Sequence, residues 1–304
     1  MSKIWDSYER LDSANESVAK YVFKKEDALV EAVLYKYPTY EERTVMCISV
    51  MCGCPMACQF CGTGTFFARN LTSEEIVEQV EIMIEDKSLE PENIKNWQIM
   101  TMSMGEPMLN MSELNSALTV LHGKYTQAKL LVSTAAPKVN FEPFFTLAED
   151  IDAIGLQFSV HESTDEARSK LVKFRNKMTI AEMARAGEQF FLRTGRHPFF
   201  NYCVHADNNS IEDVNRLLDE FDPKIWQSTL SVICESDESM SQAVERQRKL
   251  ATDFSQLMLE NGYSIRVFDP AGQDDIGGGC GQLWQVQKWA KENPSKVKKS
   301  IGAI

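Results

Sequence analysis

The sequence predicts an α/β fold, either a full or partial (β/α) barrel or a doubly wound open sheet, on three observations. Short β-branched or apolar runs alternate with helical patterns from about residue 44 onward. The 304 residues, 43% hydrophobic and 25% charged, suffice for one barrel-sized core. Polar or reactive residues recur at the C-terminal ends of the expected strands, where both architectures place their ligands.

Taken in order, residues 1–43 read as a small helical N-terminal extension, 44–284 as the barrel core and 285–304 as a basic C-terminal helix and tail. The expected strands are "TVMCISVM", "NWQIMTMSMG", "KLLVSTAA", "AIGLQFSVH", "PFFNYCVHA", "STLSVICE" and "YSIRVFDP". Between them, "TSEEIVEQVEIMIEDK" reads as a helix that Thr72 or Ser73 caps, with Ile76, Val80 and Met83 at helical spacing. "SIEDVNRLLDEF" reads the same way, and "SQAVERQRKLATDFSQLMLENG" closes on the C-cap signal Asn261-Gly262. That makes six or seven βα units.

Composition narrows the setting. No apolar run approaches the roughly 18–20 residues of a spanning helix, and the polar N-terminus lacks a basic segment followed by an apolar one, so a cytoplasmic protein is expected. A net charge of −12 argues against nonspecific nucleic-acid affinity, so any RNA partner must meet a local basic patch. Five of the eight cysteines fall between Cys47 and Cys61, too crowded for a disulfide framework and suited to a metal or redox site in a reducing compartment.

Cys54, Cys58 and Cys61 make C-x3-C-x2-C on a loop between a strand and a helix. Three thiolates can each hold one iron of a cubane cluster and leave the fourth iron open, whereas ferredoxin-type and structural zinc sites supply four ligands. S-adenosylmethionine can chelate that open iron through its amino and carboxylate groups. The loop resembles that of the radical S-adenosylmethionine superfamily, which implies a partial (β/α)6 barrel and a 4Fe-4S cluster. "MGEP", residues 104–107, resembles the superfamily's second-strand motif for the methionine amino group. Cys52 lies outside the triad and reads as a packing residue.

A narrower resemblance rests on five blocks in order. "VMCISVMCGCPMACQFCGTGTFFARNLTSEEI", "SMGEPMLN", "LVSTAAP", "QFSVHEST" and "AGQDDIGGGCGQL" are similar to successive segments of the RlmN/Cfr family of radical S-adenosylmethionine RNA methyltransferases. The resemblance implies methylation of an RNA adenine, at C2 of rRNA or tRNA, using two S-adenosylmethionine molecules per turnover. Alternatives are the same chemistry at C8 or on another nucleotide, and a non-catalytic iron-sulfur protein. Cys280 would take the first methyl group and carry it to the base, Cys47 would resolve the covalent adduct as a Cys47–Cys280 disulfide forms, and Glu31 in "VEAVL" would accept a proton.

By the same matching, Gly105, Glu106, Ser133, Ser159, Val160 and His161 would line the cofactor site. Cys234 stands where the family's asparagine contacts the cofactor. An electron donor such as flavodoxin or ferredoxin is implied, with no membrane partner and a monomeric enzyme. The "GGG" before Cys280 fits a loop whose thiol must travel. The run "RSKLVKFRNK", residues 168–177, carries five basic residues and reads as a phosphate contact.

Overall fold

The structure, a computed structural model, describes residues 4–232, 240–269, 272, 275–279 and 282–299. Cys234 and Cys280 lie outside the described residues. The chain opens with three antiparallel strands, β1 (Ser7–Asp12), β2 (Val18–Lys25) and β3 (Ala28–Lys36). This corrects the helical N-terminal extension expected from the sequence. β2 and β3 are rich in Val, Tyr, Phe and Leu, which favour strands, and pair Lys25 with Ala28 across a two-residue turn. Both are buried along nearly their whole length. A strand covered on both faces shows no polar alternation to identify it.

β3 then pairs antiparallel with β4 (Arg43–Cys47), so the sheet crosses residue 43 without a break. Next come the short hairpin strands β5 (Met51–Gly53) and β6 (Phe66–Asn70), and α1 (Ser73–Asp86), whose capping box is made by Thr72 and Glu75. β7 (Asn96–Thr101), α2 (Met111–Lys124), β8 (Lys129–Thr134), α3 (Glu142–Asp150) and β9 (Ile154–Ser159) continue the alternation. They are followed by α4 (Asp165–Leu171), α5 (Ile180–Thr194), β10 (Phe199–Cys203), α6 (Ile211–Glu220), β11 (Gln227–Ser231), α7 (Met240–Glu260) and β12 (Ser264–Phe268). The chain closes with α8 (Trp284–Glu292) and β13 (Lys298–Lys299), which pairs with β6.

All seven barrel strands expected from the sequence are present, and they run parallel as β4-β7-β8-β9-β10-β11-β12. With β1 to β3 added at one edge they make a ten-stranded sheet. Laid flat, β3 and β12 would be about 34 Å apart at the usual strand spacing. Instead the rings of Tyr35 on β3 and Phe268 on β12 meet edge-on at 6.4 Å. The sheet therefore curls until its two ends approach, a partial barrel in which β3 and β12 are not hydrogen-bonded to each other.

Helices cover the outside, where aromatic side chains lock them to the strands; Phe200 stacks on Phe221 at 4.9 Å and Phe158 packs on Trp226 at 5.8 Å. The inside is lined partly by small polar side chains, and it is left open as a cavity. No helix among the described residues is long and apolar enough to cross a membrane.

Candidate active site

The cysteine loop is held at both ends and in the middle. The β5–β6 hairpin pins Cys54, whose N–H donates to Phe66 O at 2.8 Å. The segment after α4 straps the centre, with Gln59 N–H on Leu171 O at 2.9 Å, Phe174 N–H on Met56 O at 3.1 Å and a bridge between Cys58 and Val172. The loop then wraps on itself as Gly64 N–H donates to Cys61 O at 2.9 Å. A Cβ at Gly64 would stand 2.2 Å from Cys58 O, so this wrap requires glycine.

Burial pushes the thiols of Cys54 and Cys58 up, and the negative charge of neighbouring thiols adds to the shift. Cys54, Cys58 and Cys61 thus share one electrostatic environment. Cys52 is different: it is fully buried, its thiol donates to Leu29 O at 3.2 Å, and burial pushes it up to about 11.

Glu106 stands beside this loop at the end of β7. Its carboxylate accepts from Thr134 Oγ1 at 2.5 Å, Ala135 N–H at 2.7 Å and Met108 N–H at 3.0 Å. Burial nevertheless raises it to about 7, outweighing the donors. Gly105, at φ +97°, brings the chain against Met51, whose Cβ would lie 2.6 Å from a Cβ there.

The opposite side comes from β8, β9 and α4. Ser133 Oγ and Ser159 Oγ are 3.5 Å apart, and Gln157 donates to Ser133 at 3.2 Å. Val160 and His161 both donate their N–H groups to Asn201 O, at 3.0 and 3.1 Å. His161 adopts φ 63°, its ring meets Phe60 edge-on at 5.1 Å, and its buried Nδ1 has no hydrogen-bond partner. Burial, with the nearby Arg168 charge, holds the imidazole down to about 3, hence neutral.

Arg168 is the residue here that sequence reasoning misplaced. As part of the basic run it was expected at a phosphate-contacting surface, but it is fully buried. Its guanidinium donates to Ala135 O at 2.8 Å, Met178 O at 3.1 Å and Ser159 O at 3.2 Å, while Nε has no partner. Burial lowers it to about 10, opposed by the neighbouring Cys58, Asp165 and Glu106. The other basic residues of the run, Lys170, Lys173, Arg175 and Lys177, are half-buried or exposed, with Lys170 paired to Glu166.

Gln157 connects this region to the barrel cavity, a space of about 760 Å³ counting its open mouth. Cys47 lines it with Val33, Tyr35 and Ser103, and Gly277, Gly278 and Gly279 line it too. Those three glycines immediately precede Cys280. Glu31 is fully buried on β3; its Oε2 lies 2.7 Å from Lys20 Nζ and its Oε1 accepts from Val286 N–H at 2.9 Å.

Two curated relatives decide the family. The chain is 31% identical over 271 residues to a protein of Thermus thermophilus described as a probable dual-specificity RNA methyltransferase RlmN, covering 87% of this chain and 73% of the relative. Over 284 residues it is 31% identical to "Dual-specificity RNA methyltransferase RlmN 2" of Myxococcus xanthus, covering 89% and 71%. The chain belongs to the RlmN family.

Among solved structures, a radical SAM methyltransferase from Sphaerobacter thermophilus superposes with a TM-score of 0.75 at 25% identity, covering 91% of this chain and 80% of that one. No protein-family model matches the chain. Membership in the RlmN family makes the protein an enzyme of the radical S-adenosylmethionine methyltransferase type.

The residues present fit the cluster and S-adenosylmethionine that this type of enzyme uses. Three thiols share one loop, with a buried guanidinium to offset the charge of a thiolate-bound cluster. Cys54, Cys58 and Cys61 supply three thiol ligands of the kind an iron-sulfur cluster takes. His161 Nδ1 and Arg168 Nε are buried polar atoms still lacking partners beside this loop.

Of the other residues the sequence missed, Gln157 opens the block "QFSVHEST" but carries no reactive group to single it out, and Asn201 lies in no motif. Tyr35 and Lys20 contact segments more than 240 residues away, beyond any local pattern.

Proposed function

We propose that this RlmN-family enzyme methylates an RNA adenine, at C2 in rRNA or tRNA, through an S-methylcysteine at Cys280. One observation carries the reading: Cys47 opens into the same cavity as the glycines that lead into Cys280. In this reading residues 44–284 carry the cluster, cofactor and cysteine chemistry, residues 1–43 add β1 to β3 with Glu31 to the same sheet, 285–304 flank it, and the setting is the cytoplasm.

When bound, the cluster held by Cys54, Cys58 and Cys61, with two S-adenosylmethionine molecules per turnover, supplies the methyl group for Cys280 and the radical that activates it. Gly105, Glu106, Ser133, Ser159, Val160 and His161 hold the cofactor, and Cys234, outside the described residues, is assigned the remaining contact by the family resemblance. Glu106, near neutrality at pH 7, can take its charged form as a cationic amino group arrives. The neutral imidazole of His161 offers a hydrogen-bonding atom without adding charge.

Cys280 carries the one-carbon unit to the base, forming a covalent protein–RNA adduct. The cavity presents the apolar side chains of Val33, Val45 and Met100 around that carbon. Once the adduct radical has given up one electron to an external electron carrier and Glu31 has accepted the proton of the base carbon, the Cys47 thiolate attacks the Cys280 sulfur. The S–S bond forms as the S–CH2 bond breaks, and the released carbon takes up a proton from solvent to become the methyl group. The Cys47–Cys280 disulfide left behind requires two electrons before the next cycle; an external donor such as flavodoxin or ferredoxin fits that need and the activation step. Lys173, Arg175 and Lys177 at the loop after α4 are the proposed phosphate contacts of a monomeric enzyme.

Cys47→Ala is expected to accumulate protein crosslinked to RNA, seen as a slower band that ribonuclease collapses. Adduct-free turnover at the native rate would remove Cys47 from the mechanism. Mass spectrometry of RNA from cells with and without the gene should find 2-methyladenosine missing in the latter; loss of 8-methyladenosine instead would move the target carbon.

A further inference from the structure

Two side chains on one face of β3 hold the chain on either side of Cys280. Tyr35 Oη donates to Gly278 O at 2.7 Å, two residues before the cysteine. Glu31 Oε1 accepts from Val286 N–H at 2.9 Å in the first turn of α8, six residues after it. These anchors are four positions apart, about 13 Å along β3. Between them on the same face is Val33, and Val33 is the cross-strand partner of Cys47.

The Glu31 anchor has a buried counter-ion. Lys20, on β2, lies 2.7 Å from Glu31 Oε2, and both side chains are almost wholly inaccessible. The pair is Coulombic more than a directed hydrogen bond, since neither atom has a well-aligned partner. The ammonium also sits 5.9 Å from the ring of Trp284, the first residue of α8. A carboxylate at a helix N-terminus is favoured by the helix dipole, so Glu31 and Lys20 both secure α8.

The preceding glycines are fixed as well. Gly278 N–H donates to Gly272 O at 2.7 Å, Gly279 N–H to Gln282 Oε1 at 2.8 Å, and Asp275 accepts from Ala14 N–H at 2.7 Å. The "GGG" is therefore held tightly in the structure up to Gly279.

We propose that Tyr35 and the Lys20–Glu31 pair are positioning residues that fix the chain on both sides of Cys280, at Gly278 and Val286, against β3 and next to the strand that carries Cys47, and so favour the Cys47–Cys280 disulfide. The proposal rests on the reading of Cys47 and Cys280 as a resolving pair. Glu31 acts here through α8, apart from any proton it accepts.

The test is the thiol–disulfide equilibrium of the full-length, cluster-loaded protein against a reduced and oxidised glutathione couple under anaerobic conditions. Protein dithiol and oxidised glutathione give the protein disulfide and two reduced glutathiones, and the Cys47–Cys280 peptide is quantified by mass spectrometry. Tyr35→Phe, and separately the charge-neutral pair Lys20→Met with Glu31→Gln, should each shift the equilibrium toward dithiol by about tenfold, the weight of one lost hydrogen bond. The alkylation rate of Cys47 should stay at the native value, which a general loosening of the barrel would raise.

Equilibria equal to the native one in both variants would overturn the anchoring role. If the native protein forms no such disulfide while Cys54, Cys58 and Cys61 still hold iron, the resolving pair itself fails, a distinct result. Should the double variant not fold, Tyr35→Phe, which removes a single oxygen, decides the matter alone.

Discussion

Arg168 donates to the carbonyl of Ala135 at 2.8 Å from a position with no access to solvent. Ala135 N–H, on the same residue, is bonded to Glu106. One residue at the end of β8 therefore links a buried cation to a buried acid, beside the cysteine loop. Arg168→Met removes three charge-assisted bonds and leaves the Ala135, Met178 and Ser159 carbonyls short of a donor. Relief from burying a charge offsets part of this, so a net loss of about 2–3 kcal/mol is expected. Urea unfolding of the unloaded protein measures it, and iron retained per chain after reconstitution should fall in parallel.

Glu106 gives the unloaded protein a defined pH response. Its folded value of about 7 lies above the ordinary carboxyl value of 4.5, so the folded chain binds a proton that the unfolded chain releases. The stabilisation is complete below pH 4.5 and is lost as pH rises through about 7, a range of at most about 3 kcal/mol. Glu106→Gln should flatten melting temperature against pH across that window. A native-like slope in the variant would assign the response to another group.

Gly64 tests whether the loop shape, as distinct from its three thiols, is needed for metal. Gly64→Ala drives a Cβ to 2.2 Å from Cys58 O, a backbone atom that cannot yield cheaply. Circular dichroism should be unchanged because the loop lies outside the ten-stranded sheet. Iron bound after anaerobic reconstitution should drop severalfold with all three cysteines intact. Full iron loading would show that the loop tolerates a different path.

The parallel strands were legible because each is a short apolar run between clear helical patterns, as β9 is between α3 and α4. The cysteine triad was legible because its spacing is itself the chemistry. β2 and β3 were misread as helical, since strands buried on both faces carry no period of two. Arg168 was misread because a charge run in a linear window says nothing of which member a short helix turns inward. The contacts of Tyr35 with Gly278 and Glu31 with Val286 join residues 243 and 255 apart, and only the closed fold brings them together.

Those last contacts also set the order in which the enzyme can come into being. A chain emerging from the ribosome exposes β2 and β3 early, yet the partners that fill their inner face, from Gly278 to Val286, follow more than 240 residues later. Such late pairing leaves a buried lysine and glutamate waiting in an unfinished wall, and contacts of this separation are slow to form. The inner wall around Lys20, Glu31 and Tyr35 is thus completed only once residues 278–286 have been translated.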